Sequence, residues 1–129
     1  MYITQVSVFV ENKFGRLSEI LNELSENNIN IRALSIAESS EFGILRMIVD
    51  DTEKASKVLK ESGVIVKTSQ VIAIDIDDTP DCLAKIVEKL KNGGVSIEYT
   101  YAFVAKEENS AKVVLRVDNT EKAEEILKA

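Results

Sequence analysis

Val6, Val8 and Val10 recur at the two-residue period of a strand that buries one face. The period changes past a polar turn that holds Asn12 and Gly15. Leu17, Ile20, Leu21 and Leu24 then follow at i, i+3, i+4 and i+7, the apolar stripe of an amphipathic helix. Two β-rich runs come next, 30–38 and 43–50, and Ser39-Ser40-Glu41 between them suits a hairpin. A shorter helix carries Ala55, Val58 and Leu59, and Val64, Ile65 and Val66 close the series. The predicted order is β-α-β-β-α-β.

The series is then written again. A shift of 66 positions lays Val6, Val8 and Val10 on Ile72, Ile74 and Ile76, and Asn28-Ile29-Asn30-Ile31 on Gly94-Val95-Ser96-Ile97. The turn Asn12-Lys13-Phe14-Gly15-Arg16-Leu17 lands on Asp78-Thr79-Pro80-Asp81-Cys82-Leu83. Leu83, Ile86, Val87 and Leu90 repeat the first helical stripe, and Ala123, Ile126 and Leu127 repeat the second. Past the second hairpin, 95–105 and 111–118 around Glu108-Asn109-Ser110, the shift becomes 68. There VDDTEKA (49–55) overlies VDNTEKA (117–123), six of seven residues being identical.

Two βαββαβ units with helices on one face of an antiparallel sheet predict an α+β, ferredoxin-like fold in tandem, with modules at 1–69 and 70–129. Residues 64–77 hold no Gly or Pro, so the modules are expected to join through nearly continuous strands and to share one core. The second copy stops at Ala129, before anything that matches Ser62–Val66, and so lacks its last strand. The open edge should be covered by a neighbouring chain or by the long strand 64–77.

Charge and composition narrow the function. The formal net charge of −6 disfavours non-specific attraction to nucleic acid or anionic lipid. With no histidine and one cysteine, a zinc site is improbable and imidazole-based catalysis is excluded. No apolar run approaches the ~18 residues of a membrane span. The N-terminus lacks a secretory layout, and the single Cys82 fits a reducing cytoplasm.

ENKFGRLSEI, NINIRALSIAES and FGILRMIVDD, at these spacings, resemble the ACT domain, a small-molecule-sensing module of amino-acid metabolism. The resemblance covers the chain as two tandem copies. It extends both to stand-alone amino-acid-binding ACT proteins and to the regulatory small subunit of acetolactate synthase. The usual ACT turn reads Asn/Asp-x-Pro-Gly-x-Leu. The first copy keeps Asn12, Gly15 and Leu17 with Phe14 in place of proline; the second keeps Asp78, Pro80 and Leu83 with Asp81 in place of glycine.

The resemblance implies effector binding where this turn of one ACT domain meets the next domain. By position it names Asn12, Lys13, Phe14, Gly15, Arg16 and Leu17, with Asn30 and Ile31 at the following strand, and Asp78, Thr79, Pro80 and Asp81 in the second copy. Independently, glycine permits close approach of a ligand, and open N–H groups of a first helical turn suit a carboxylate. Other features read more plainly. Thr79-Pro80 suits a helix cap, Arg16 lies close to Glu19 and Glu23, and the DIDD run (75–78) lacks calcium-loop spacing.

Tyr99, Tyr101 and Phe103 alternate and share one face of a strand. Their counterparts are Ala33, Ser35 and Ala37, with Leu34 and Ile36 on the opposite, helix-covered face. A stripe of aromatics on the sheet face without helices predicts a homodimer or higher oligomer. The expectation is a non-catalytic, cytoplasmic sensor that binds an amino acid or related metabolite without a cofactor or metal. The alternative is a dedicated regulatory subunit of a metabolic enzyme, of the acetolactate synthase type.

Overall fold

A computed structural model describes residues 2–11, 15–38, 41–77, 79–103 and 110–128. The elements are β1 (Tyr2–Glu11), α1 (Arg16–Glu26), β2 (Ile31–Glu38), β3 (Phe42–Val49), α2 (Thr52–Glu61), β4 (Ile65–Asp77), α3 (Cys82–Asn92), β5 (Ile97–Ala102), β6 (Ser110–Val117) and α4 (Thr120–Lys128). The closing strand of the first series and the opening strand of the second are a single strand, β4, of 13 residues. The chain divides into two compact units, Thr4–Gln70 and Met1–Ile3 with Val71–Ala129.

In the unit Thr4–Gln70 the strand order is β2-β3-β1-β4. Val6 lies opposite Met47 and Val8 opposite Leu45, in antiparallel register. Opposed residues share a face, so these four make one apolar surface. Ile20 and Leu24 of α1 and Ala55 and Leu59 of α2 cover it, and the cluster is closed to solvent. Each fully buried leucine contributes about 1.5–3 kcal/mol to holding helix against sheet.

In the other unit β4, β6 and β5 lie in that order, with Ile72 opposite Leu115 and Ile74 opposite Val113. Leu90 of α3 and Ala123 of α4 cover this face. Residues up to Ile3 group with this unit, and β1 flanks β4 on the side away from β6. Of β1, the residues up to Ile3 alone group with this unit, so the edge expected to be covered by a second chain or by the strand 64–77 has only the start of β1 within the unit. No strand follows α4 among the described residues.

Each unit encloses an apolar cluster beneath its own pair of helices. One expectation needs correction. Leu34 and Ile36 do lie on the helix side, opposite Met47 and Leu45. They nevertheless remain 39% and 48% exposed, since β2 is the outermost strand of its sheet.

Both copies make the same irregularity, a register shift between Ile31 and Ala33 and between Ile97 and Tyr99. One extra residue turns the next side chain to the other face. It leaves Ile31 and Ile97 packed on the cores and sends Ala33 and Tyr99 to the opposite side.

Three helices end in one way. Asn28, Gly63 and Gly94 adopt positive φ of 59°, 84° and 81°. The amide of the next residue then donates to the carbonyl of a core leucine: Ile29 to Leu24 (2.9 Å), Val64 to Leu59 (3.3 Å), Val95 to Leu90 (2.9 Å). Both partners are buried in each case, the apolar contact that accompanies such helix ends. A side chain in this backbone region costs roughly 1–2 kcal/mol, less for asparagine. Asn28→Ala should therefore lower unfolding stability by about 1 kcal/mol and Asn28→Gly should preserve or raise it, as read from urea denaturation midpoints.

Candidate functional site

The four helices begin in two different ways. α2 and α4, which carry the near-identical heptapeptide, are capped by side chains. Asp51 accepts from the Lys54 amide at 3.1 Å and Asn119 accepts from the Lys122 amide at 3.1 Å. α1 and α3, which follow the turns singled out above, have no side-chain cap. Among the described residues nothing meets the first amides of α1, whereas the first amide of α3, that of Cys82, already has a backbone acceptor; an open helix start favours an anion.

Gly15 is the N-cap of α1, in the left-handed region at φ 81° and ψ −5°. Its carbonyl accepts from Glu19 at 3.1 Å, so the amides of Arg16, Leu17 and Ser18 have no helical partner. A Cβ at Gly15 would meet nothing within 4 Å, so the glycine is required by its backbone angle and not by crowding. Leu17 packs on the core beneath. The Arg16 guanidinium pairs with Glu19 at 2.8 Å. Asn12, Lys13 and Phe14 lie outside the described residues.

The second turn is built differently. Asp81, not Thr79, is the N-cap of α3. Thr79 and Pro80 sit one turn earlier, where the Thr79 amide donates to Asp77 (2.8 Å) and its carbonyl accepts from Cys82 (3.4 Å). The tight turn consumes the position that the Thr-Pro pair would need as a cap. Asp78 lies outside the described residues. The Asp81 carboxylate pairs with Lys85 at 2.8 Å, and this contact, aided by a backbone amide and Thr79, lowers its pKa below the ordinary aspartate value. Its contribution to stability is thus present above the ordinary aspartate range and lost as pH falls through the lowered value. At neutral pH an ionised carboxylate stands at the start of α3, while the start of α1 carries none at the cap.

Asn30 and Ile31 lie after the other end of α1. Eleven helical residues separate them from Gly15, about 16 Å. One unit therefore does not bring the two parts of the implied site together. Asn30 is held by a residue that the sequence reading passed over. Its amide donates to Asp50 Oδ1 at 3.0 Å and its carbonyl accepts from the Asp50 amide at 3.1 Å. Ser96 and Asp118 repeat the arrangement at 3.0 and 3.1 Å. The identical Val-Asp in the two heptapeptides was the available signal. Beside Asn30 opens a groove of about 510 Å³, lined by Leu21, Ser25, Ile29, Ile31 and Asp50 as well. A larger groove of about 800 Å³ runs along α2, lined among others by Thr4, Ser56, Lys57 and Thr68. No residue of the implied site lines it.

The sequence profile of the family described as ACT domain pair matches residues 1–129. The chain belongs to the ACT domain pair family. The crystal structure of a Bacteroides thetaiotaomicron protein is 44% identical, covers 99% of this chain and 88% of its own, and superposes with a TM-score of 0.93. The regulatory subunit of aspartate kinase from Thermus thermophilus shares the fold at 17% identity, with 98% and 88% coverage and a TM-score of 0.69. Its counterpart from Thermus flavus gives 17%, the same coverage and 0.68. No curated protein matches the chain. ACT domains are regulatory modules, and among the described residues no group of acidic or cysteine side chains could hold a metal ion and no helix is long and apolar enough to cross a membrane.

In the second ACT domain Tyr99 and Tyr101 stand opposite Arg116 and Val114, on the face away from the apolar core. Their rings stack at 6.4 Å, and Lys112 lies over the Phe103 ring at 5.6 Å. All three aromatics are half-buried. On the corresponding face of the first domain Ala33 is already buried, Ser35 is half-buried and Ala37 is exposed.

Lys85→Met should raise the pKa of the Asp81 carboxyl toward the ordinary aspartate value, as followed by carbon-detected NMR. Asp118→Ala should cost about 1 kcal/mol in a urea titration through loss of the hydrogen bond to Ser96, whereas Asp118→Asn, which keeps an acceptor, should cost much less.

Proposed function

We propose that this ACT domain pair is a non-catalytic sensor that binds an amino acid, or a related carboxylate metabolite, at the Gly15 turn. The observation that carries the reading is the uncapped start of α1, three amides free of a helical partner behind a glycine that presents no side chain. The repeat supplies an internal comparison, since α2 and α4 begin with capping side chains and leave less for a ligand. The turn at Asp81 is the weaker site. An ionised carboxylate stands there, and Cys82 already donates to Thr79. Asn12, Lys13 and Phe14 are proposed to complete the first site, with Asp78, Thr79 and Pro80 around the second.

Because α1 separates Gly15 from Asn30 and Ile31, the ligand draws on two chains. The Gly15 turn of one receives the carboxylate, and the Asn30 groove of the other receives the remainder. β2, which begins at Ile31, is an outer strand with exposed Leu34 and Ile36, and Phe42 is 49% exposed on β3 beside it. Apolar surface of this kind on an unpaired edge favours self-association. The aromatic face of the second domain (Tyr99, Tyr101, Phe103) and the small-residue face of the first (Ala33, Ser35, Ala37) are proposed as secondary contacts. The named aspartate kinase relatives are themselves regulatory subunits, in line with this role.

A thermal-shift screen against the twenty amino acids tests the reading, since ligand at 100 times its Kd adds about 2.7 kcal/mol of stability. Gly15→Asp should then abolish binding and its neutral isostere Gly15→Asn should largely preserve it. Like charges ~4 Å apart repel by about 4 kcal/mol at an effective dielectric near 20, and half of that still exceeds a tenfold loss. Equal affinity in the two variants would show that the turn is only a corner. Ile36→Asp should lower the mass seen by light scattering and weaken binding together; a monomeric wild type that still binds would contradict the two-chain site.

A further inference from the structure

We infer that Asp50 is the ammonium-binding carboxylate of the first ACT domain, and that its groove selects an α-amino acid with an aliphatic side chain. The inference rests on the amino-acid reading above and adds to it the polarity and class of the ligand.

The groove between the end of α1 and the start of β2 has an apolar floor and a polar rim. Ile29 is buried, Leu21 and Ile31 are half-buried, and Ser25, Asn30 and Asp50 stand exposed around them. Asn28 completes the polar rim, and the floor beneath it offers contact area to a hydrocarbon side chain. The rim carries one ionised group, and its sign is negative. Asp50 uses Oδ1 to accept the Asn30 amide, and among the described residues no cation pairs with it. Its backbone amide donates to the Asn30 carbonyl at the same time, so Asp50 is held by one side-chain and one backbone contact to the same residue. A fixed, uncompensated carboxylate beside an apolar floor is complementary to an α-ammonium whose side chain lies on that floor. The ligand's own carboxylate then points away from Asp50, toward the open amides of a Gly15 turn.

The second domain lacks this complementarity although Asp118 makes the same two contacts. By the repeat, Lys91 takes the position of Ser25, Gly94 that of Asn28 and Ser96 that of Asn30. A cation is therefore built into the rim, which opposes an ammonium ligand. The two domains have diverged at the rim while keeping the aspartate, so one amino acid is bound per chain and not two.

Calorimetry on the full chain with L-isoleucine, L-leucine and L-valine tests this. At least one should bind with a stoichiometry of one per chain, and its N-acetyl derivative, which lacks the ammonium, should bind at least tenfold more weakly. Asp50→Asn keeps an oxygen for the Asn30 amide and removes the charge. It should leave the melting temperature close to wild type and weaken binding by roughly tenfold or more. Asp118→Asn should leave affinity unchanged. Ser25→Lys, on an exposed helix position and without touching Asp50, should also abolish binding. Unchanged affinity in Asp50→Asn, or equal binding of the N-acetyl compound, overturns the inference. If these three amino acids fail while another of the twenty binds, the aliphatic assignment falls and the sensor reading stands. If none of the twenty binds, both fall.

Discussion

Everything in each ACT domain is referred to one constraint: alternate residues of the strands are apolar and must be covered by two helices. Val6 and Val8 opposite Met47 and Leu45, beneath Leu24 and Leu59, leave no freedom in register. A slip of one residue would turn the valines to the other face and bring Gln5 and Ser7 under the helices. The same condition holds for Ile72 and Ile74 with Leu115 and Val113 beneath Leu90. Because the helices must reach that face, the chain turns sharply at Gly15 before α1 and again at Asn28 after it. Those two corners lie at opposite ends of α1, and both parts of the candidate site are made at them.

The corners are therefore not equivalent to ordinary loops. Where a helix only has to start, a side chain closes it, as Asp51 and Asn119 do. Where α1 starts, glycine supplies no such side chain, and among the described residues nothing takes its place, a form of local incompleteness that stability alone does not require. At the other corner, Asp50 and Asp118 fasten the entry to the next strand with one carboxylate oxygen and one amide each. A structural fastening common to both domains thus also delivers a fixed negative charge, and the neighbouring rim residues decide whether that charge meets a ligand.

Most of the fold was legible in the sequence because it is written twice and because two-residue and helical periods are local signals. The register-shifting irregularity was implicit in the face assignment of Ala33 and Leu34. What the sequence did not reveal is non-local. That residues up to Ile3 group with the unit Val71–Ala129 depends on which strands lie beside β4, and no periodicity encodes it. In the candidate site the Gly15 turn could be recognised from residue types, but the Asp50–Asn30 contact could not. The pairing of Asp50 with a residue twenty positions earlier exists only after β2 and β3 have come together. Thr79-Pro80 misled for a related reason: the pair is good cap chemistry, and Asp81, a residue further on, is the N-cap.

The central claim is that open amides at the start of α1 receive the ligand. The most direct measurement is an amide-resolved NMR titration of the protein with the amino acid that gives the largest thermal shift. The account predicts that the amides of Arg16, Leu17 and Ser18 move most, together with Asn30 and Asp50, while Glu53 and Lys54 at the capped start of α2 stay in place. Saturable shifts centred on α2, with the 16–18 amides unmoved, would contradict it.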